Sequence, residues 1–243
     1  MSTERAECPD NPGTPNTTSP PHEVTLLVIA KAPIAWFAKT RLTPPLAPVD
    51  AARVAAAALL DTLDAVRDCT VTRRVIAFTG DLDRAESGDE ISRAMEDFEV
   101  FAQRGGDFGT RLANAHADAA RFGAPVLQIG MDTPQVGAST LIEAARRLTD
   151  AGTALLGPAE DGGWWALGLP NPQPARVLAQ VPMSTAHTAT ATRSALRDCG
   201  YGVRSLPRFR DVDDFDDALH VADHSGGRFA EVVRALRAGL VPR

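Results

Sequence analysis

The chain has 243 residues, 44% of them hydrophobic and 23% charged, which is enough to bury the core of one domain. Its formal net charge of −6 argues against nucleic acid as a general partner. No apolar run approaches twenty residues and no secretory signal is visible, so we expect no membrane span and a cytoplasmic location. Three widely spaced cysteines fit neither a disulfide framework nor a zinc site.

Strands and helices are predicted to alternate along most of the chain. Residues 1–22 hold five prolines and no Leu, Ile, Val or Phe, which predicts a disordered tail before a single domain over 23–243. The predicted strands are 24–30, 74–79, 98–103, 126–130, 154–156, 164–169 and 203–206. The predicted helices are 49–67, 90–95, 108–122, 139–150, 186–199, 214–222 and 228–238. This alternation predicts an α/β protein with a mainly parallel sheet.

A cationic loop follows the first predicted strand. Of the 25 basic residues only two are lysines, Lys31 and Lys39, and both fall in this loop with Thr40 and Arg41. Three cations within eleven residues repel one another, so an anionic ligand is the natural partner. A compact ammonium binds phosphate oxygens as a point charge. The loop therefore predicts a phosphate-binding site.

A glycine-rich turn, Gly105-Gly106-Asp107, opens the predicted helix 108–122. Asp107 either binds a ligand or caps the helix that it precedes, and the pattern does not separate these roles. Arg111 lies one helical turn further on, where it can pair with Asp107 or contact the same ligand.

Two acidic turns follow predicted strands. Asp132 comes just after the strand 126–130, and Glu160-Asp161-Gly162-Gly163 follows the strand 154–156. Open α/β sheets bind ligands at the carboxyl ends of their strands, and two carboxylates there can share a hard cation. The alternative is that each aspartate caps a turn or helix. Taken together, the turns favour a site for Mg²⁺ or Mn²⁺.

The glycines and the tryptophan of the second acidic turn have separate predicted roles. Gly162 and Gly163 would allow the backbone to approach a sugar or phosphate closely. Trp164 is a candidate for stacking on a base or sugar, whereas Trp165, which alternates with it along the strand, is as well explained by core packing.

Four segments in this order resemble the DUF2064 family. They are Lys-x-Pro with Lys-Thr-Arg-Leu within 31–42, Gln-Arg-Gly-Gly-Asp-Phe-Gly-Thr-Arg-Leu at 103–112, Gly-Met-Asp-Thr-Pro at 130–134 and Gly-Pro-Ala-Glu-Asp-Gly-Gly-Trp at 157–164. The resemblance covers about residues 24–222. It implies a Rossmann-like GT-A fold, that of the nucleotide-diphospho-sugar transferases, with a mainly parallel mixed sheet flanked by helices. The chain is also similar to small-molecule guanylyltransferases such as the one for phospholactate.

The resemblance implies roles for particular residues. Lys31, Lys39 and Arg41 match the family's basic loop, and Asp107 and Arg111 match its Gly-Gly-Asp segment. Asp132 matches a metal-associated aspartate, and Asp211 begins a late Asp-x-Asp that offers a second metal contact. Lys39 would stabilise developing charge, and Asp161 is the candidate base with Glu160 in reserve.

Three functions agree with these features. The first is metal-dependent glycosyl transfer from an NDP-sugar to a small-molecule acceptor. The second is nucleotidyl transfer from an NTP, and the third is a nucleotide-binding module without catalysis. The third arises because Trp36 and Met183 stand where the family usually has Gly and Trp. The oligomeric state is not predicted.

Overall fold

The structure is a computed structural model that describes residues 21–123 and 125–240. The predicted tail therefore falls almost wholly outside the described residues, although His22, which was assigned to it, begins the first strand. Within the described part of the chain, no helix is both long enough and apolar enough to cross a membrane.

All the predicted strands are present, with ends that differ by a few residues. They are β1 (His22–Lys31), β2 (Val71–Thr79), β3 (Glu99–Ala102), β4 (Val126–Gly130), β5 (Ala154–Pro158), β6 (Trp164–Leu169) and β7 (Val203–Ser205). They form one sheet in the order β3-β2-β1-β4-β6-β5-β7. Only β6 is antiparallel to its neighbours β4 and β5, and the other described pairs are parallel. The predicted mainly parallel mixed sheet is confirmed.

All the predicted helices are present as well. They are α1 (Pro48–Arg67), α2 (Gly88–Ala94), α3 (Phe108–Ala119), α4 (Ala138–Ala151), α5 (Thr188–Asp198), α6 (Phe215–His224) and α7 (Gly227–Leu240). Short 3-10 helices at Thr40–Leu42, Leu82–Arg84, Ala120–Phe122 and Gln173–Gln180 complete the fold.

Helices cover both faces of the sheet, as expected where parallel strands are buried on both sides. Apolar residues of α1, α2 and α4 form one core cluster with the sheet. Residues of α3, α5 and the segment Gln173–Gln180 form the cluster on the opposite face. A third cluster joins α1 to α6 and α7, so the C-terminal helices pack against the first one. The neighbouring parallel strands β1 and β4 thus have their carboxyl ends side by side, at the same end of the sheet.

His116 of α3 is fully buried and has no hydrogen-bond partner of good geometry among the described residues. Burial lowers the pKa of its imidazole to about 4, against a smaller raising effect of Gln128. The unfolded chain, with an ordinary pKa near 6.5, therefore takes up the proton first. We expect the free energy of unfolding to fall by about 2 kcal/mol between pH 7.5 and pH 5 through this residue alone.

Urea unfolding of His116→Leu at these two pH values checks this expectation. The substitution should remove that part of the pH dependence, whereas His187→Gln, a change at an exposed histidine, should leave it intact. Equal pH dependence in His116→Leu and the wild type would contradict the assignment.

Candidate active site

A cleft of about 620 Å³ opens at the carboxyl ends of β1 and β4. Ligand sites of open α/β sheets lie at this edge, and pockets of this size suit small molecules. The charged side chains among its described lining residues are Lys31, Lys39, Arg41, Arg111, Asp132, Asp161, Asp211 and Asp213. The cleft thus brings together the basic loop, the first turn of α3, both acidic turns and the segment that precedes α6.

Lys39 ties three of these segments together. It has a left-handed backbone with φ of 52° and begins the short helix Thr40–Leu42. Its ammonium lies 2.5 Å from Oδ1 of Asp132 and donates to the carbonyl of Val212, and only 7% of the side chain is exposed. Arg41, the next cation of the loop, donates to Asp213 at 2.9 Å. The predicted basic loop therefore faces carboxylates from two other parts of the chain.

Three aspartates lie close together in the same cleft as Lys39. One carboxylate oxygen from each of Asp161, Asp211 and Asp213 lies within 4.8 Å of the others. Oδ1 of Asp161 also accepts the backbone N–H of Gly163 at 2.6 Å, which orients the turn. The backbone N–H of Val212 donates to the carbonyl of Asp132 at 2.9 Å and fixes the second segment.

Burial and neighbouring negative charge both raise the pKa values of Asp211 and Asp213. Burial, followed by the charges of Asp161 and Asp213, raises the pKa of Asp211 to about 7. Burial also raises the pKa of Asp213, although Lys39 and Arg41 oppose it. A hard divalent cation prefers carboxylate oxygens and would relieve this repulsion. The residues present thus fit the predicted Mg²⁺ or Mn²⁺.

The acidic group is not the same as the predicted pair of metal ligands, Asp132 and Asp211. Asp211 belongs to it, whereas the nearer oxygen of Asp132 is occupied by Lys39. Asp213 belongs to it too, whereas the N-cap of α6 is Asp214, which accepts from the N–H of Asp217 at 2.9 Å. The spacing of Asp211 and Asp213 is the feature of the sequence that could have predicted their proximity, because side chains two residues apart in an extended segment lie on the same side.

The structure places Asp107 as the N-cap of α3. Its carboxylate accepts from the backbone N–H and the hydroxyl of Thr110, both at 2.8 Å, and it does not line the cleft. These hydrogen bonds lower the pKa of Asp107. Arg111 forms no ion pair with Asp107 within the described residues; it lines the cleft, with its guanidinium 5.7 Å from the ring centroid of Phe108.

Two residues of the second acidic turn face away from the cleft. Glu160 pairs with Arg210 at 2.7 Å and does not line the cleft, so its geometry does not support the reserve role as a base. Gly162 has φ of 92°, and a Cβ there would lie 2.1 Å from the carbonyl oxygen of Ala186. Packing against protein, not the approach of a ligand, therefore explains this glycine. Gly163 does line the cleft.

The three tryptophans take different environments. Trp164 lines the cleft, and its indole N–H donates to the hydroxyl of Thr192 at 3.1 Å. Trp165 is buried in the core, as one of the two interpretations proposed. Trp36, in the basic loop, is 73% exposed and has a left-handed φ of 66°. Met183 lines the cleft, as does Thr40 of the basic loop.

Solved structures share this fold. A candidate nucleotide-diphospho-sugar transferase from Desulfovibrio desulfuricans G20 is 23% identical, with a TM-score of 0.77 over 89% of this chain and 96% of that one. A cytidylyltransferase from Leptospira borgpetersenii serovar Hardjo-bovis (strain JB197) is 13% identical, with a TM-score of 0.55 over 89% and 94%. A homologue of Mycobacterium tuberculosis Rv0371c from Mycobacterium sp. strain JC1 is 17% identical, with a TM-score of 0.52 over 88% and 99%. These likenesses establish the predicted GT-A fold.

No curated protein sequence matches this chain. The family profile described as "uncharacterized protein conserved in bacteria (DUF2064)" matches residues 62–185. This match includes the Gly-Gly-Asp segment and both acidic turns on which the resemblance was recognised. It spans more than half of the chain, and the protein therefore belongs to the DUF2064 family.

Proposed function

We propose that this protein is a divalent-metal-dependent transferase that moves a glycosyl group from an NDP-sugar to a small-molecule acceptor. The observation that carries the proposal is the acidic group Asp161, Asp211 and Asp213 beside Lys39 and Arg41 in one cleft. Carboxylates that hold a cation, next to fixed ammonium and guanidinium groups, are the means by which proteins bind a diphosphate.

The balance of charge in the cleft supports an anionic ligand. The described lining residues contribute four cationic and four acidic side chains, which offset one another. A bound Mg²⁺ or Mn²⁺ would leave the cleft positive by two charges. A donor diphosphate would restore the balance, so the cation and the donor should bind together.

The side chains have separate roles in this proposal. A cation held by Asp211 and Asp213 would supply Lewis-acid stabilisation of the departing phosphate. Lys39 and Arg41 are aligned before the reaction by their contacts with Asp132 and Asp213, so they stabilise developing charge without reorganising. Asp161, oriented by the N–H of Gly163, is the candidate acceptor of the proton of the attacking hydroxyl.

Nucleotidyl transfer from an NTP is the second candidate. The observation that favours it is that Lys31 and Arg111 also line the cleft, which gives more cationic side chains than a diphosphate requires. The leaving group would then be pyrophosphate in place of a nucleoside diphosphate.

Binding and product analysis test the proposal. We expect NDP-sugars to raise the melting temperature when Mn²⁺ or Mg²⁺ is present and to lose this effect in EDTA. With a panel of acceptors, release of a nucleoside diphosphate supports glycosyl transfer, and release of pyrophosphate supports the second candidate. Metal-dependent binding without turnover would favour the non-catalytic module. Absence of metal-dependent binding of any nucleotide would contradict all three.

A further inference from the structure

The four cations of the cleft differ in how they are paired. Lys39 and Arg41 contact Asp132 and Asp213, whereas Lys31 and Arg111 form no ion pair with any described residue. Burial lowers the pKa of Lys31; Asp132 opposes this, and the nearby charges of Lys39 and Arg111 add to it. Positive charge is therefore in excess on the side of the cleft formed by Lys31 and Arg111.

The same part of the cleft holds buried polar atoms without partners. Nε of Arg111 and Oε1 of Gln128 are buried and have no hydrogen bond to any described residue. Gln128 is only 2% exposed and stands in the middle of β4 between the buried Leu127 and Ile129. It lines the cleft, and it also raises the pKa of the neighbouring His116.

Unsatisfied groups of this kind are costly. A buried donor or acceptor without a partner costs about 1–3 kcal/mol, and more when the group is charged. Buried polar atoms in proteins are nearly always paired, so exceptions call for an explanation. An oxyanion would accept from Nε of Arg111, and a hydroxyl group on the same ligand would donate to Oε1 of Gln128.

We propose that Lys31 and Arg111 form a second anion site in the cleft, and that this site binds the oxyanion of a small acidic acceptor whose hydroxyl group donates to Gln128. The proposal rests on the proposed function, because it assumes that the donor phosphates bind at the acidic group with Lys39 and Arg41. A guanidinium binds phosphate or carboxylate through two parallel hydrogen bonds, and Lys31 adds a point charge. An acceptor held there would share the cleft with the donor, as transfer between them requires.

Titration of the metal-free protein tests the anion site. Inorganic phosphate and acetate are added separately in EDTA, followed by calorimetry, and binding of either one identifies the class of oxyanion. Arg111→Gln should weaken that binding about tenfold or more. Glycolate, which adds a hydroxyl group to acetate, should bind more tightly than acetate to the wild type but not to Gln128→Leu. Arg104→Gln is the matched control, because Arg104 lies in the same segment, is exposed and pairs with Asp118. Equal binding by Arg111→Gln and Arg104→Gln, or no binding of either oxyanion to the wild type, would overturn the proposal.

Competition in the wild-type protein tests the assignment to the acceptor. The affinity for a nucleotide with Mn²⁺ is measured with and without a saturating amount of the oxyanion that bound. We expect a change within about threefold, because separate sites are filled together. A loss of about tenfold or more would assign Lys31 and Arg111 to the donor phosphates and overturn the acceptor role.

The two proposals can fail separately in this design. If no nucleotide binds with Mn²⁺, the proposed function fails, and the acceptor role fails with it. The titrations in EDTA do not depend on a donor or a metal, so they still decide whether the anion site exists. Gln128 lies in the core, so a Gln128→Leu chain that does not fold leaves Arg111→Gln, whose side chain lines the cleft, to decide the result.

Discussion

Asp161→Asn should lower turnover by about 10²-fold or more while donor affinity stays within a few-fold of the wild type. Asparagine keeps the shape of the side chain and an oxygen that can accept the N–H of Gly163, but it cannot take up a proton. Asp211 and Asp213 remain to hold the cation, so binding of the donor should largely survive. Melting temperature, donor affinity and turnover measured on the same preparation check this result.

Glu160→Gln is the matched control for this experiment. Glu160 is the neighbouring acid in the same turn, yet it pairs with Arg210 outside the cleft. We expect its replacement to leave turnover within a few-fold of the wild type. A structural role of Asp161 would appear differently, with melting temperature, affinity and rate declining together in Asp161→Asn. Turnover close to normal in that variant would remove Asp161 from the catalytic residues.

Lys39→Ala should weaken nucleotide binding by roughly 10- to 100-fold, as expected for the loss of a charged hydrogen-bonding group. Lys39 is nearly buried and is held against Asp132, so its position is set before the ligand arrives. The substitution also leaves Asp132 without its ion pair, and that unpaired carboxylate would repel a phosphate. Calorimetry with a nucleotide and Mn²⁺, at several salt concentrations, measures the loss and its electrostatic origin.

Arg146→Ala provides the comparison. Arg146 lies on the exposed side of α4, where it pairs with Glu143 and Asp150 on its own helix. Its replacement removes the same formal charge far along the chain from the basic loop. If Lys39→Ala binds a nucleotide as tightly as Arg146→Ala does, the phosphate-binding role of the loop is wrong. If Lys39→Ala lowers the melting temperature without weakening nucleotide binding, Lys39 is a structural residue.

The order of strands and helices was predictable because local patterns carried it. Apolar runs such as 126–130 give buried strands, and β4 begins and ends where the run does. The short helix Gln173–Gln180 was missed, because Pro174 and a short apolar stretch indicate neither a regular helix nor a strand. The predicted start of α5, at 186, is two residues too early. The helix begins at Thr188, after His187, whose side chain makes no capping hydrogen bond.

The location of the site was easier to predict from the sequence than the contacts between its charged side chains. Asp132, Asp161 and the basic loop follow strands whose ends meet at one edge, so the fold class was sufficient to bring them together. The contact of Lys39 with Asp132 and that of Glu160 with Arg210 join residues far apart in the chain, and no local pattern carries such information. At Asp213 and Asp214 two identical residues compete for one cap, and only the course of the backbone selects Asp214.

The position of Lys39 has a consequence for the speed of binding. A single ammonium joins the basic loop to Asp132 and Val212, so contacts within the chain itself hold these three segments together. A donor that arrives need not wait for a loop to fold over it, and little conformational entropy remains to be lost on association. Association should then be limited by encounter and charge attraction, and differences in affinity between donors should reside in how slowly each one leaves.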